Sequence, residues 1–97
     1  MATYVTLATL TDQGIRTMKD LARRFQNADQ TFESFGARIE EIFLLFGPYD
    51  YVVVSEAPDD ESLARAMLAI GGQGNVRTQT FRAFRRHETL RLIEGLP

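Results

Sequence analysis

The stretch from Ala37 to Ala57, ARIEEIFLLFGPYDYVVVSEA, decides the fold. It reads as two strands, Ala37–Phe46 and Tyr51–Ala57, joined by the turn-forming run Gly47-Pro48-Tyr49-Asp50. Successive side chains on a strand point to opposite faces. Ile42, Leu44 and Phe46 therefore share one face of the first strand, and Phe43 and Leu45 the other. The second strand repeats the pattern, with Tyr51 and Val53 facing opposite to Val52 and Val54. A sheet wetted on one side alternates apolar with polar residues; this pair is apolar on both. Two helices can cover only one face. The other needs a cover of its own, and a second copy of the same sheet is the simplest source.

Working outward, Thr3–Leu10 is rich in β-branched residues and reads as a strand. Thr11 and Asp12 supply helix N-caps, and Ile15, Met18, Leu21, Ala22, Phe25, Ala28, Phe32 and Phe35 follow at helical spacing. Gly36 suits a left-handed stop, and Asp20 offers a second cap that would split the segment into a short turn and a longer helix. On the other side, Pro58-Asp59-Asp60-Glu61 opens a helix with the stripe Leu63, Ala64, Met67 and Ile70, ended by Gly71-Gly72. Val76–Phe84 is a fourth strand. The order is βαββαβ, a ferredoxin-like α+β fold with a four-stranded antiparallel sheet and both helices on one face. We expect one domain over residues 1–84 and a tail, 85–97, with a short helix at His87–Glu94.

Composition removes many functions. The 97 residues include no cysteine, which excludes disulfides, thiolate zinc sites, iron–sulfur clusters and cysteine nucleophiles. His87 is the single histidine and cannot by itself assemble a three-ligand metal site, so no metal or cofactor is expected. The first residues lack a basic segment and a long apolar run, so neither a signal peptide nor a membrane span is expected, and the location expected is cytoplasmic. A formal charge of −2 argues against a nucleic-acid binder, as does YVVVSEA where an RNA-recognition strand would carry aromatic and basic residues. Gly71-Gly72-Gln73-Gly74 follows a helix and enters a strand, the reverse of a phosphate loop. Charge is nevertheless uneven: Asp29–Glu61 holds nine acids and one base, Arg38, whereas Val76–Arg91 holds five arginines and one acid, Glu88.

Two groups of residues carry possible chemistry. If the hairpin closes with Phe46 opposite Tyr51, Glu41 and Glu56 face each other, and two close carboxylates can divide acid and base roles. The plainer reading has both solvated or paired with arginine. Thr78, Thr80 and Arg82 share one face of the fourth strand, opposite Arg77, and could hold a carboxylate, a phosphate or a polar aromatic on the uncovered sheet face. The plainer reading there is a charged edge strand that resists aggregation. Tyr49 and Asp50 are expected to build the turn itself.

The segments LTDQGIR (10–16), GPYDYVVVSEAPDD (47–60) and GNVRTQTFRAF (74–84) resemble the GYD domain family, whose signature here is Gly47, Tyr49 and Asp50. The resemblance runs from Thr3 to Phe84 and implies a ferredoxin-like domain of the dimeric α/β-barrel kind, with no established activity. Family members often carry a proline-bearing break where this chain reads KDLARRF (19–25). Three functions stay open. One is a self-associating module that holds a small anionic or aromatic ligand between its sheets. Another is a cofactor-independent enzyme of the monooxygenase or isomerase sort, by fold analogy alone. The third is a docking or scaffold subunit that uses Leu90, Leu92, Ile93 and Leu96 of the tail.

Overall fold

In the computed structural model, which describes residues 1–97, a strand β1 (Ala2–Leu10) leads into a short helix α1 (Asp12–Arg16), a 3-10 turn (Met18–Asp20) and α2 (Leu21–Ser34). There follow β2 (Arg38–Leu44), β3 (Tyr51–Ala57), α3 (Asp60–Gly71), β4 (Val76–Ala83) and α4 (Arg86–Glu94). The strands form one antiparallel sheet in the order β2-β3-β1-β4. The expected βαββαβ order is present; the first helical segment is broken at Met18–Asp20, and the Asp20 side chain makes no capping hydrogen bond to α2. Thr11 caps α1 by accepting the Gly14 N–H at 3.1 Å, and Gly36, at φ +75°, stops α2.

α2 and α3 lie on one face of the sheet. Tyr4, Phe32, Ala37, Ala57, Leu63 and Ala66 form the buried cluster between them. On α3 the buried positions are Leu63 and Ala66; Ala64, expected on the stripe, is exposed. Burying a side chain such as Phe32 contributes about 2–3 kcal/mol, so this cluster is the main source of stability. Tyr4 also donates its hydroxyl to Asp60 and so ties β1 to the start of α3. Burial, then that hydrogen bond, pushes the Tyr4 phenol up to about 12.

The hairpin register differs from expectation. Leu44, not Phe46, lies opposite Tyr51, and an irregularity between Ile39 and Glu41 shifts the ladder again. Glu41 therefore faces Val54, and Glu56 faces Arg38. The carboxylate pair Glu41–Glu56 is not formed. The extra residue lets Ile39 and Ile42 both turn toward the helices, which a straight strand would forbid. Leu45 and Phe46 fall in the connection, and Phe46 is fully exposed.

α4 projects from the body. Every residue of it except Glu88 is exposed. The radius of gyration, 14.6 Å, exceeds the roughly 13 Å of a compact domain of this length, as a projecting arm requires.

Candidate functional site

The sheet face turned away from the helices is uncovered. Val5 and Leu7 of β1, Val52 and Val54 of β3, Phe43 of β2 and Phe81 of β4 share it, by the ladder pairings. Phe43 is 51% and Phe81 52% exposed. The apolar centre is framed by polar links that cross it at each end. At one end the Tyr49 hydroxyl donates to Gln79 Oε1 at 3.3 Å, so the ring bridges from the β2–β3 turn to β4. At the other end Arg85, just beyond β4, reaches Glu40 at 2.6 Å and Glu56 at 4.0 Å. Arg38 joins them, 2.7 Å from Glu56 and 3.4 Å from Glu40. Two arginines thus share two carboxylates. The hydrogen bond from Arg38 holds the Glu56 carboxyl below its ordinary range, and the Arg85 charge adds to this. A depressed carboxyl is a poor proton donor at neutral pH, the opposite of what an acid catalyst needs.

The residues expected to bind a ligand are scattered. Glu41 sits on the open face, exposed and opposite Val54. Thr78, Thr80 and Arg82 pair with Ala8, Thr6 and Tyr4, which places them on the helix side of the sheet, away from Glu41 and Glu56. Thr80 Oγ1 lies 2.9 Å from Thr6 Oγ1 in a hydrogen bond. Arg82 donates to the carbonyls of Thr3, at 3.3 Å, and Ala83, and stacks 4.4 Å from the Phe84 ring centroid. Its Nη1 is engaged within the fold. Arg77 alone among the β4 arginines lies on the open face, opposite Thr9.

The signature residues serve architecture. Gly47 adopts φ +108°, a conformation glycine tolerates and other residues rarely do. Asp50 accepts the Leu10 N–H at 2.7 Å through its carboxylate and donates its own N–H to Ala8 O at 2.9 Å. Its carbonyl accepts the Leu45 N–H at 2.8 Å, so Asp50 both closes the turn and stitches it to the end of β1. The other two family-like segments meet as well. Thr11 Oγ1 donates to Gly74 O at 2.6 Å, and Gln13 Nε2 to Gln73 O and Asn75 Oδ1 at 3.1 and 3.0 Å. Gly14 completes the clamp: a Cβ there would lie 2.2 Å from Asn75 O.

Behind the clamp, between α2 and the sheet, is a chamber of about 90 Å³. Leu21, Phe25, Ala28, Ile42, Val53 and Ile70 give it apolar walls; Thr6, Arg24, Tyr51, Gln73, Asn75 and Thr78 are its polar members. Phe25 meets Tyr51 edge-to-face at 5.7 Å. Burial pushes the Tyr51 phenol up, against the opposing effect of the Arg24 charge. A wider polar hollow of about 390 Å³ adjoins the chamber and shares Arg24, Gln73 and Asn75 with it. Nothing in the sequence singled out Arg24, because among Leu21, Phe25 and Ala28 it reads as an ordinary polar position of an amphipathic helix. No group of three His, Asp or Glu side chains is placed to hold a metal ion, and no helix is long and apolar enough to cross a membrane.

Four antiparallel strands with their helices on one side define a ferredoxin-like α+β domain. The GYD domain matches residues 4–93, nearly the whole chain and into α4, and this protein belongs to that family. A relative from Thermus thermophilus, described as a glutamine synthetase and cystathionine beta-lyase binding protein, is 40% identical over 84 residues. That alignment covers 86% of this chain and 88% of the relative. Among solved structures, a Thermus thermophilus protein superimposes with a TM-score of 0.55 at 25% identity, covering 88% of this chain and 95% of that one. MtbAldR superimposes at 0.69 with 11% identity; 89% of this chain matches 53% of it, so the likeness is of fold and spans about half of that protein.

Proposed function

We propose that this protein is a non-catalytic binding module that closes into a homodimer through its open sheet face and engages a larger enzyme as partner. The observation that carries the reading is the framed apolar face. Val5, Leu7, Val52, Val54, Phe43 and Phe81 form a patch that a stable monomer would not leave in water. The paired charges at its end favour a protein surface over a free anion, since Arg38 and Arg85 are already matched by Glu40 and Glu56. An enzyme as partner follows the description of the Thermus thermophilus relative, which names two enzymes. An anionic or aromatic ligand between the sheets is the finer alternative, with Arg77 as its one unmatched arginine. Sedimentation at micromolar concentration should give twice the 11.0 kDa chain mass. A single 11.0 kDa species would overturn the reading.

Residues 85–97 form a separate arm in this proposal. The arm exposes Leu90, Leu92, Ile93 and Leu96 and supports a second reading, in which it docks the partner enzyme. Deleting residues 86–97 separates the two uses. Loss of binding to recombinant glutamine synthetase or cystathionine beta-lyase with the dimer intact assigns the arm to docking; loss of the dimer assigns it to assembly.

A further inference from the structure

We infer that the chamber between α2 and the sheet is a binding site for a small monocarboxylate, with the carboxylate on Arg24 and the apolar end among Phe25, Ala28 and Val53. The inference does not depend on how the open face is used.

Arg24 is the unusual member of this region. Its Nη2 donates to Gly14 O at 3.1 Å and to Thr17 O at 3.4 Å, which fixes the guanidinium against the end of α1. Its Nε and Nη1 are buried and have no hydrogen-bond partner. No carboxylate lies within ion-pair distance of it; the nearby Asp20 is paired with Arg23 at 3.3 Å. A half-buried guanidinium with two desolvated, open donors is costly unless an anion or water completes it. Arginine's spread of donors suits a carboxylate.

The surroundings set the rest of the ligand. Tyr51 lines the same chamber, and a phenol pushed up by burial stays protonated at neutral pH and can donate. Thr78 brings a hydroxyl from β4. Apart from Thr6, Gln73 and Asn75 the remaining walls are aliphatic and aromatic, and none of them carries a second positive charge, which disfavours phosphate and dicarboxylates. At about 90 Å³ the chamber holds about three waters' worth of volume, so the fitting ligands are short acids of a few heavy atoms. The adjoining polar hollow provides the way in past Gln73 and Asn75.

The test is calorimetric titration and thermal shift at constant ionic strength, with propionate, butyrate and valerate against butyramide, octanoate and inorganic phosphate. Butyrate should bind and raise Tm; butyramide, which lacks the charge, and octanoate, which exceeds the chamber, should not. Arg24→Gln should weaken butyrate about tenfold or more, the loss expected for a charge-assisted hydrogen bond. Ala28→Leu should abolish binding by filling the chamber, and Arg77→Gln should leave it unchanged. Should Arg24→Gln fail to fold, the Arg24 Nε–H resonance of the wild-type protein decides: butyrate should shift it. Equal binding of butyrate and butyramide, equal binding to wild type and Arg24→Gln, an unmoved Arg24 resonance, or no stabilisation at tens of millimolar acid would each overturn the site.

Discussion

On the covered side of the sheet, Tyr4, Thr6, Ala8, Tyr51, Ser55 and Ala57 are all at or below 5% exposure. On the open side, the alternate residues of the same strands, Val5, Leu7, Val52 and Val54, are only half-buried, and Phe43 and Phe81 are half-exposed. The centre of the open face has valines, Leu7 and two phenylalanines; the covered face has alanines, hydroxyls and phenols where the helices pack, and Ile39, Ile42 and Val53 along the chamber. The difference follows from what each face meets. Helices already bring Phe32 and Leu63 to the covered side, so small strand residues there let them approach. The open side must supply its own bulk to whatever closes over it. Apolar content alone therefore does not identify the core: both faces carry it, and only one of them has a partner within the chain.

The comparison breaks most sharply at two phenylalanines. Phe32 is 1% exposed in the helix-side cluster, so Phe32→Ala should cost about 3–5 kcal/mol at every protein concentration. Phe43 is 51% exposed on the open face, so Phe43→Asp should leave the isolated domain nearly as stable and shift the self-association equilibrium instead. Urea unfolding at two concentrations separates them. A Phe43→Asp loss that ignores concentration would mean the open face acts as ordinary surface.

Two glycines sharpen the contrast between close approach and backbone strain. At Gly14 a Cβ would collide with the Asn75 carbonyl at 2.2 Å, so Gly14→Ala should cost about 1–3 kcal/mol or more and loosen the clamp between the β1–α1 and α3–β4 connections. At Gly47 nothing lies within 4 Å of where a Cβ would sit, and the whole penalty comes from φ +108°. Gly47→Val should cost about 1–3 kcal/mol. Thermal melts of Gly14→Ala, Gly47→Val and Gly47→Asn tell the mechanisms apart. Asparagine tolerates positive φ and should recover much of the Gly47 loss.

The element order was legible because each segment carries one period and ends on its own punctuation: β-branched Thr3–Leu10, the helical stripe to Phe35, the valines of Tyr51–Ala57. The register was not, since alternation counts residues and a bulge adds one. A signal existed in Ile39 and Ile42, two apolar residues three apart that cannot both face the helices on a straight strand. Closing the hairpin two residues away from Leu44–Tyr51 paired Glu41 with Glu56, and missing the bulge concealed that Arg38 faces Glu56, and with it the network of Arg38, Glu40, Glu56 and Arg85. Arg85 lies 45 residues from Glu40 in sequence, and only the path of the chain beyond β4 joins them. Arg24 depends likewise on the break after α1, which turns the Gly14 and Thr17 carbonyls toward α2.

Within the covered face, two buried hydroxyls should respond with opposite signs. Thr6 shares a hydrogen bond with Thr80, whereas Ser55 Oγ is buried without a partner. Thr6→Val removes a satisfied bond and should cost about 0.5–1.5 kcal/mol. Ser55→Ala removes a desolvated, unpaired hydroxyl from a site of similar size and should be neutral or stabilise by up to about 1 kcal/mol. Chemical denaturation of both variants checks this. A clear loss in Ser55→Ala would mean that the hydroxyl has a water partner.

The smallest expected effect lies at the polar end of the open face. Glu56 is held below its ordinary range in the folded protein by the hydrogen bond from Arg38, with Arg85 adding to it. The unfolded chain returns it to about 4.3. A depressed folded value means the stabilisation is complete above the unfolded value and is lost as pH falls through the folded one. Stability should therefore decline on acidification below about pH 4.3, and Glu56→Gln should flatten that part of the profile. The Arg38 side chain is 63% exposed, so solvent screening keeps the contribution of the pair small. Asp59 and Glu88 are also depressed, each first by a backbone N–H, from Ser62 and Arg85 respectively, so acid sensitivity should not vanish in the variant. The difference between the wild-type and Glu56→Gln profiles isolates the network, and raising salt should shrink that difference. If a second copy closes over this face, water leaves the ion pairs and the same difference should grow with protein concentration. A difference independent of concentration would place the network outside the interface.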